Sequence, residues 1–349
     1  MSEGVGNYYQ YSGVIHVHTT ESDGTKTLEE VAAIGRQVGL DFIMFTDHMN
    51  LNNRNRGKEG FYGRTLAVVG YEHNDLDDNN HYLIFDSPAV YPKGATVAEY
   101  VKAAANDGAL GLIAHPDEIR DRMGKYPPYP WTDWTVDGFQ GIELWNQMSE
   151  WMEKLTPSNK LMMAFSPRKS MVGPTERVLK VWDEISSKRK CAGIASVDAH
   201  AFPIRIGPLT VEIFPYKVHF RSLRTYIILR EPLSQNFNCA KQQLLDAIRE
   251  CRLFLANLRW GDAAAFQFIA EQRGETVTAG EHFDSHEGVS LKVSLPSPAE
   301  VRMIHNGRVV REATTDHLTY RVVNPGLYRV EAWKGKRGWI FSNHIRIGK

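Results

Sequence analysis

Short apolar runs alternate with segments of helical pattern from residue 13 to about residue 257. The runs that predict strands are GVIHVH, DFIMFTDH, TLAVVGYE, HYLIF, ALGLIAH, GFQGIELWN, AGIASVDAH, TYIIL and RLFLAN. TLEEVAAIGRQVG and TVAEYVKAAANDG each open on a capping box, Thr27 with Glu30 and Thr96 with Glu99. PTERVLKVWDEISSK and AKQQLLDAIRECR repeat apolar residues at three and four positions, which also predicts helices. This alternation predicts a mostly parallel sheet that is buried on both faces.

The pattern changes from about residue 260 onwards. Apolar and polar positions then alternate, and turns such as HNGR, NPGL and KGKRG interrupt them. Such a pattern predicts a small antiparallel sandwich or barrel. Because 349 residues is long for one ordinary domain, we predict a large domain over residues 1–260 and a smaller one over 261–349.

Composition narrows the function classes. Lys plus Arg equals Asp plus Glu at 41 each, so no overall field favours a polyanion, and we expect no nucleic-acid partner. The three cysteines are widely spaced and form no CxxC, which suggests neither a disulfide framework nor a zinc ribbon. No apolar run has the length of a membrane span, and the segment MSEGVGNYYQYSG lacks the features of a signal. We expect a cytoplasmic protein without membrane contact, or an exported one if a signal has been removed.

Polar residues follow five of the predicted strands at the same end. VIHVH ends on His16 and His18, IMFTDH on Asp47 and His48, LAVVGYE on Glu72, LGLIAH on His115, and IASVDAH on Asp198 and His200. In a barrel of parallel strands the carboxyl ends share one rim, so these side chains should converge. Histidine and carboxylate without thiolate suit zinc, iron or manganese, and more than four donors imply more than one ion. A single buried histidine is more often a hydrogen-bonded core residue; the convergence of five strand ends favours a metal site.

Several positions near these ends have two interpretations. His16 and His18, at i and i+2 in a strand, should point to the same side. Asp23 in ESDG is either a turn residue followed by a glycine with positive φ or an additional ligand. We expect Asp47 to orient His48 from behind rather than to bind metal. His81 precedes the apolar run HYLIF, so it reaches the rim only if that strand is antiparallel to the others; there it would be a proton donor, and otherwise a solvated loop residue.

As a set, these motifs resemble the PHP domain, named for polymerase and histidinol phosphatase. HVHTTESDG resembles its first motif, TDH its second, the glutamate of VVGYE its third-strand ligand, and IAHP and SVDAH two further signatures, in the same order over residues 13–200. RSLRTYIILREPL, LLDAIRECRLFLAN and GLYRVEAWKGKRGWIFSNHIRI resemble the C-terminal part of the CehA/McbA-like subgroup of PHP metallohydrolases. The resemblance implies a distorted (β/α)7 TIM-like barrel (the PHP fold) followed by a small antiparallel β-sandwich.

The resemblance also implies a ligand set for two or three divalent ions (Mn, Zn or Fe). The positions that match family ligands are His16, His18, Asp23, His48, Glu72, His115, Asp198 and His200. Asp23 stands where some members have a histidine, which would alter the metal preference. QMSEWMEKL lacks the histidine that trinuclear members carry after the strand matching GIELWN, so a third ion would depend on Glu143 or Asn146.

These residues predict an enzyme, a metal-dependent hydrolase acting on a small molecule. The first hypothesis is a phosphoesterase in which a hydroxide bridging two ions is the nucleophile and His81 protonates the leaving group. Phosphate would also need cationic partners, and the candidates are Arg120, Arg168 and Arg205, each otherwise an ordinary surface arginine. The polar insertion of residues 50–64 carries Arg54, Arg56 and Arg64, and is either a substrate loop or a solvated excursion.

Two alternatives remain open from the sequence. The same metal site could hydrolyse a carbamate, amide or carboxylic ester, with a pocket lined by Trp131, Trp134 and Trp145. Alternatively, the chain is a non-catalytic metal-containing binding protein that recognises a partner or glycan through Tyr328, Trp333 and Trp339, aromatic residues that otherwise fill the core of the second domain. No motif identifies a particular partner protein.

Overall fold

The computed structural model describes residues 8–122, 127–206 and 209–348, and only the backbone of residues 204–206 and 209–211. The strands in this part are β1 (Tyr9–Val17), β2 (Phe42–Phe45), β3 (Gly60–Tyr62), β4 (Thr65–His73), β5 (Tyr82–Phe85), β6 (Leu110–Ile113), β7 (Gly141–Asn146), β8 (Ala192–Ser196), β9 (Phe202–Ile206), β10 (Leu209–Ile213), β11 (Leu223–Leu229), β12 (Leu253–Asn257), β13 (Gln267–Gln272), β14 (Glu275–Thr278), β15 (His282–Phe283), β16 (Ser290–His305), β17 (Arg308–Arg321), β18 (Gly326–Lys334), β19 (Arg337–Ser342) and β20 (Ile345–Ile347). The helices are α1 (Leu28–Gln37), α2 (Asn52–Asn55), α3 (Val97–Asn106), α4 (Gln147–Glu153), α5 (Lys160–Phe165), α6 (Glu176–Lys188), α7 (Tyr216–His219) and α8 (Phe237–Arg249).

The prediction of a mixed α/β fold is confirmed, and local capping explains where the first helices begin. The Thr27 hydroxyl accepts a hydrogen bond from the Glu30 backbone N–H, and the Glu30 carboxylate accepts one from the Thr27 N–H at 2.8 Å. Thr96 and Glu99 form the same reciprocal pair at the start of α3. Both pairs satisfy N–H groups that a helix terminus leaves unpaired. No helix of the described residues has both the length and the apolar character needed to cross a membrane.

The chain folds into two compact units, each assembled from stretches that are distant in sequence. Unit I comprises Gly13–Met171 and Ala195–Arg224, and unit II comprises residues 8–12, 172–194 and 225–348. The change of hydrophobic pattern near residue 260 therefore falls inside unit II. The division into domains at residue 260 stays a prediction.

Unit I contains the strands whose ends carry the candidate ligands. Within it β1 pairs in parallel with β2, β2 with β4, and β6 with β7. The segment after β8 joins the other side of β1 through a parallel bridge between Val17 and Ala199. All nine residues of β4 are buried, as expected of a strand covered on both faces.

Strand β5 departs from the parallel arrangement. It pairs antiparallel with both β4 and β6. The residue that precedes β5, His81, therefore lies at the same edge as the carboxyl ends of the parallel strands. The sequence left this possibility open, and the antiparallel pairing decides it.

Unit II is dominated by antiparallel strands, as the alternating pattern of its sequence predicted. β16 pairs antiparallel with β13, β17 and β18, and β19 pairs antiparallel with β12 and β18. Inward positions of β16 alternate with more exposed ones. Tyr328 and Trp339 are fully buried in its apolar core.

A buried charged network links α6 to the sheet inside unit II. Asp183 accepts two hydrogen bonds from the Arg329 guanidinium, at 2.8 and 2.9 Å, and one from His344 Nε2 at 2.7 Å. Burial alone would raise the pKa of Asp183, but these donors lower it to about 2. Glu331 accepts a further bond from Arg329 at 2.5 Å, so each charge has a partner.

Candidate metal centre

The structure brings all eight predicted ligand residues together inside unit I. Each offers a nitrogen or oxygen atom to a group whose ligand atoms lie within 4.8 Å of one another. The groups are His18, Asp23, His48 and His200; His16, His18 and Glu72; His16, His115 and Asp198; and Glu72, His81 and His115. The groups overlap, so the residues form one continuous cluster, called here the strand-end cluster.

His16 and His18 face the same carboxylate, but not for the reason that the sequence suggested. His16 has φ 68, and the pairing of β1 with β2 shifts register between Ile15 and Val17. The regular alternation of the strand is therefore interrupted at His16 itself. Their rings still lie 5.1 Å apart, and both Nε2 atoms approach Glu72 Oε2, at 3.0 and 3.3 Å.

Left-handed backbone recurs at the strand ends of the cluster. His115 has φ 26 and Asp198 has φ 50, in addition to His16. Residues other than glycine are rarely found in this region, and such strain concentrates where side chains must be aimed at a site. The hydrophobic pattern contains no signal for it.

Glu72 is at the centre of the cluster and is buried, with 1% of its surface exposed. Its Oε1 lies 2.6 Å from His81 Nδ1 and 3.2 Å from His115 Nε2. Its Oε2 lies 3.3 Å from His48 Nδ1, besides its contacts with the two histidines of β1. One carboxylate therefore faces five imidazoles through two separate oxygens.

Asp198 and Asp23 supply the remaining predicted carboxylates. Asp198 Oδ1 lies 3.4 Å from His16 Nε2, from His18 Nε2 and from His200 Nδ1. Asp23 Oδ2 lies 3.1 Å from His200 Nε2 and 3.7 Å from His48 Nε2. Asp198 is therefore deep in the cluster, whereas the Asp23 side chain is half exposed at its edge.

The glycine after Asp23 is required for a reason other than the predicted one. Gly24 is not among the residues with positive φ. A Cβ at this position would lie 2.5 Å from the carbonyl oxygen of His18. The turn carrying Asp23 thus needs glycine because its backbone passes close to the end of β1.

Glu143 is the main residue of the site whose position the sequence did not reveal. It was considered as help for a third ion, but its Oε1 lies 2.8 Å from His16 Nδ1 and its Oε2 accepts from the His115 backbone N–H at 2.7 Å. Asn146 Nδ2 donates to the same Oε2 at 2.8 Å. A carboxylate that accepts from Nδ1–H leaves Nε2 of the imidazole free to act as a ligand. The feature of the sequence that pointed to Glu143 was its carboxylate near the end of the strand GIELWN.

Tyr129 fixes a second imidazole in the same way. Its carbonyl oxygen lies 3.1 Å from His115 Nδ1, and its ring stacks on His81 at 5.2 Å between centroids. His115 Nε2 is then the nitrogen that faces Glu72. No motif in the sequence singled out Tyr129, because the contact uses its backbone oxygen.

The donor set fits divalent ions on three grounds. In the described part of the chain, no lysine or arginine lies within hydrogen-bonding distance of the carboxylates of Glu72, Glu143 or Asp198, although all three are buried. His18 Nε2 is buried and makes no hydrogen bond. Donors sharing one ion at about 2.0–2.2 Å lie roughly 3.0–3.5 Å apart, and most separations in the cluster are of this size. Buried carboxylates need a compensating positive charge.

The pKa values show the same demand for positive charge. Burial alone would lower the pKa of His16, but Glu72, Asp198 and Glu143 raise it well above its usual range. Against the same effect of burial, Asp198 and Glu72 raise the pKa of His18 to about 10. Burial raises the pKa of Glu72, but the surrounding imidazoles outweigh it and hold the value well below the usual range.

The structure places His81 at the edge of the strand-end cluster, with two possible roles. Its Nδ1 contacts Glu72, and its buried Nε2 has no hydrogen-bond partner within 3.5 Å. Burial lowers its pKa, but Glu72 and Asp78 outweigh this and raise it to about 9. Grouped with Glu72 and His115, the same imidazole could also be a ligand.

Asp47 does not contact His48 in the way that the sequence suggested. Its carboxylate accepts from the Thr19 N–H and hydroxyl, both at 2.7 Å, and from the Ser22 hydroxyl at 2.8 Å. Asn53 Nδ2 donates to it at 3.0 Å. Asp47 therefore holds the turn that leads to Asp23. That Asp47 supports the ligand residues without binding metal stays a prediction. The contacts of Asp47 indicate that it would support the turn that leads to Asp23 rather than the His48 imidazole.

The arginines proposed as phosphate partners are engaged elsewhere or undetermined. Arg120 pairs with Glu118, donates to the Pro127 carbonyl, and lies over the Tyr129 ring with its guanidinium carbon 5.5 Å from the centroid. Arg168 lies in the 3-10 turn Pro167–Lys169. Arg205 lies in β9, and its side chain is outside the described part.

The aromatic side chains considered for binding are mostly core residues. Trp131 and Trp145 are buried and donate to the Asp133 carbonyl and the Glu150 carboxylate. Tyr328 and Trp339 are buried in unit II, whereas Trp134 and Trp333 are partly exposed. The interpretation of Tyr328 and Trp339 as core residues is the one that the structure favours.

Neither a family model nor a curated relative matches this chain. Among solved structures, it is similar to a two-domain protein from Bacteroides vulgatus described as containing a predicted PHP-like metal-dependent phosphoesterase, with 12% identity, TM-score 0.48, and 99% of this chain and 97% of that chain covered. It is also similar to a proposed metal-dependent phosphoesterase from Bifidobacterium adolescentis, with 14% identity, TM-score 0.34 and coverage of 57% and 92%. A third structure is an amidohydrolase from Chromobacterium violaceum with bound sulfate and no metal, with 14% identity, TM-score 0.33 and coverage of 58% and 92%. The proposals below rest on the geometry of the strand-end cluster.

Proposed function

We propose that this chain is a metal-dependent hydrolase and that the strand-end cluster is its active centre. The observation that carries the proposal is the convergence of mostly buried imidazoles and carboxylates from separate strand ends. Among the residues that the structure describes, no lysine or arginine neutralises the carboxylates of Glu72, Glu143 and Asp198. Structural cores avoid such a concentration of buried charge unless a cation completes it. Perturbed groups gathered at strand ends are also typical of catalytic sites.

The residues proposed to hold two or three divalent ions (Mn, Zn or Fe) are His16, His18, Asp23, His48, Glu72, His115, Asp198 and His200. Such ions, when bound, supply a water of lowered pKa and stabilise negative charge that develops on the substrate. Glu143 and the Tyr129 carbonyl hold the imidazoles of His16 and His115 with Nε2 directed into the cluster. His81 is the proposed proton donor to the leaving group.

The proposed substrate is a small-molecule phosphate ester. Divalent ions held by these residues would stabilise the negative charge of a phosphoryl group. The finer description of the fold, a distorted (β/α)7 barrel followed by a β-sandwich, belongs to the same proposal. The parallel pairing of β1 with β2 and with the segment after β8 supports the first part of that description.

A carbamate, amide or carboxylic ester is the second candidate, because Arg120, Arg54 and Arg56 already contact other groups of the protein. Arg120 is occupied by Glu118 and a carbonyl. In the insertion, Arg54 donates to the Ser87 and Pro88 carbonyls, and Arg56 pairs with Glu21. A neutral substrate would not need these cations.

The test is hydrolysis of a matched panel of aryl substrates (phosphomonoester, phosphodiester, carbamate and carboxylic ester) by manganese-loaded and zinc-loaded protein. His16→Ala should abolish turnover and reduce the bound metal. His282→Ala is the matched control, because His282 is an exposed histidine of unit II. Turnover of the phosphate esters supports the first candidate, and turnover of the carbamate or carboxylic ester alone supports the second. Activity that survives in His16→Ala would refute the assignment of the centre.

A further inference from the structure

The turn of residues 19–24, called here the Asp23 turn, decides where Asp23 lies. The Asp23 side chain is half exposed, and its described contacts are with three imidazoles and the Ser22 hydroxyl. Little side-chain packing therefore fixes it. The position of its carboxylate depends on the backbone of the turn that carries it.

The insertion of residues 50–64 makes direct hydrogen bonds to this turn. Asn53 Nδ2 donates to the Thr19 hydroxyl and to the Asp47 carboxylate, each at 3.0 Å. Asn50 Nδ2 donates to the Glu21 carbonyl at 3.1 Å and to the His48 carbonyl at 2.9 Å. Arg56 pairs with the Glu21 side chain. The insertion follows directly after His48, so it ties two ligand-bearing segments to each other.

The Asn53 contacts should matter more than the Arg56 pair. Asn53, Thr19 and Asp47 are each at most 2% exposed, so solvent cannot readily replace these hydrogen bonds when they are lost. The Arg56 side chain is 57% exposed, so its ion pair is screened by solvent and contributes little.

We propose that Asn53 is a positioning residue of the strand-end cluster: it clamps the Asp23 turn so that Asp23 completes the ligand group of His18, His48 and His200. The inference rests on the proposed metal-dependent function and adds the role of the insertion. The insertion then acts on the metal centre through hydrogen bonds to the turn, and not as a substrate loop. The contacts of the Asn53 amide NH2 are with Thr19 and Asp47, not with a ligand residue.

The clamp has a selective consequence. Asp23 borders the group of His18, His48 and His200, whereas the groups built on His16 and His115 do not include it. Loosening the Asp23 turn should therefore weaken one ion without weakening the other. Loss of a residue behind a ligand typically costs about 10–100-fold in metal affinity, and we expect the lower end because Asp47 still holds the turn.

The experiment measures Zn²⁺ affinity of the full-length, chelator-treated protein in competition with a chromophoric chelator. Asn53→Ala is compared with Asn55→Ala, the matched control, because Asn55 is an exposed asparagine of the same short helix. We expect one Zn²⁺ to bind about tenfold more weakly in Asn53→Ala, whereas the other Zn²⁺ should not be weakened. The metal-free variant should still fold but melt at a lower temperature, because two buried hydrogen bonds are lost. Asn50→Ala should weaken the binding of the same Zn²⁺ by a smaller factor. This variant replaces Asn53→Ala in the test if Asn53→Ala does not fold.

A double-mutant cycle with Asp23→Asn separates positioning from general stability. If Asn53 acts through Asp23, then Asn53→Ala should cause little further loss in the Asp23→Asn background. Unchanged affinity in Asn53→Ala, equal weakening of every bound ion, or full additivity with Asp23→Asn would each overturn the clamp while leaving the metal centre intact. A wild-type protein that binds no Zn²⁺ would overturn the proposed function and the clamp with it.

Discussion

Replacing Glu143 by glutamine tests whether a carboxylate behind His16 controls the metal centre. The wild-type side chain accepts from three donors: His16 Nδ1 at 2.8 Å, the His115 N–H at 2.7 Å and Asn146 Nδ2 at 2.8 Å. Glutamine has nearly the same shape but only one accepting oxygen. If that oxygen faces His16, the amide NH2 faces two donors. If it faces the other two, the NH2 faces His16 Nδ1 and favours the tautomer protonated on Nε2, which cannot bind an ion.

The size of the effect follows from this count. In either orientation at least one buried donor loses its acceptor, at a cost of about 1–3 kcal/mol. Since every 1.4 kcal/mol corresponds to roughly a tenfold change in an equilibrium constant, metal affinity should fall by about 10–100-fold. That range is also typical when the partner of a ligand histidine is removed.

The assay is the same Zn²⁺ competition, together with turnover of whichever substrate the panel identifies. Glu184→Gln is the matched control, because Glu184 is an exposed glutamate on α6. Glu143→Gln should bind Zn²⁺ more weakly while the control binds like wild type. Wild-type affinity in Glu143→Gln would refute the reasoning that the Nδ1 contact directs Nε2 into the centre.

Three further outcomes are expected. In chelator-treated protein, the pKa values of His81 and His18 are raised to about 9 and about 10. Protonation of these two imidazoles therefore stabilises the folded state fully below a pH of about 6.5, and this stabilisation is lost as the pH rises through 9 and 10. Melting temperatures measured across this pH range should fall. Gly24→Ala should destabilise the protein by about 1–3 kcal/mol and weaken Zn²⁺ binding, because its Cβ would lie 2.5 Å from a backbone oxygen; Gly94→Ala, with no atom within 4 Å, should do neither. Asp183→Asn should lower the free energy of unfolding measured with denaturant by about 3–5 kcal/mol without changing Zn²⁺ affinity, because it breaks a buried ion pair of unit II that involves none of the proposed ligands.

The sequence was sufficient to locate the candidate ligands because their positions depend on strand ends. The shared edge of parallel strands is a property of the backbone, and it brings residues as distant as His16 and Asp198 together. The regular alternation of β1, by contrast, does not hold at His16. The pattern also predicted the capped helices, since a capping box is a local signal. The sequence did not decide whether β5 is parallel or antiparallel to its neighbours, because a short apolar run has the same hydrophobic pattern in either direction.

The supporting residues could not be predicted, because their contacts depend on coordinates within about an ångström. Glu143 was visible as a carboxylate, but only the structure shows it behind His16. Asn53 lies in a polar insertion where any asparagine would fit the pattern equally well. Tyr129 acts through its carbonyl oxygen, which every residue has. The two units are assembled from distant stretches, whereas a change of hydrophobic pattern marks only one point along the chain.

Glu72 explains why the two halves of the centre should not behave independently. Its Oε1 faces His81 and His115, and its Oε2 faces His16, His18 and His48. A cation near one oxygen withdraws negative charge from the carboxylate and so lowers the attraction that the other oxygen offers to a second cation. Asp23 borders only the half that contains His48 and His200. Loss of the Asp23 position should therefore weaken one ion, whereas loss of the Glu72 charge should weaken every ion and remove the coupling between them.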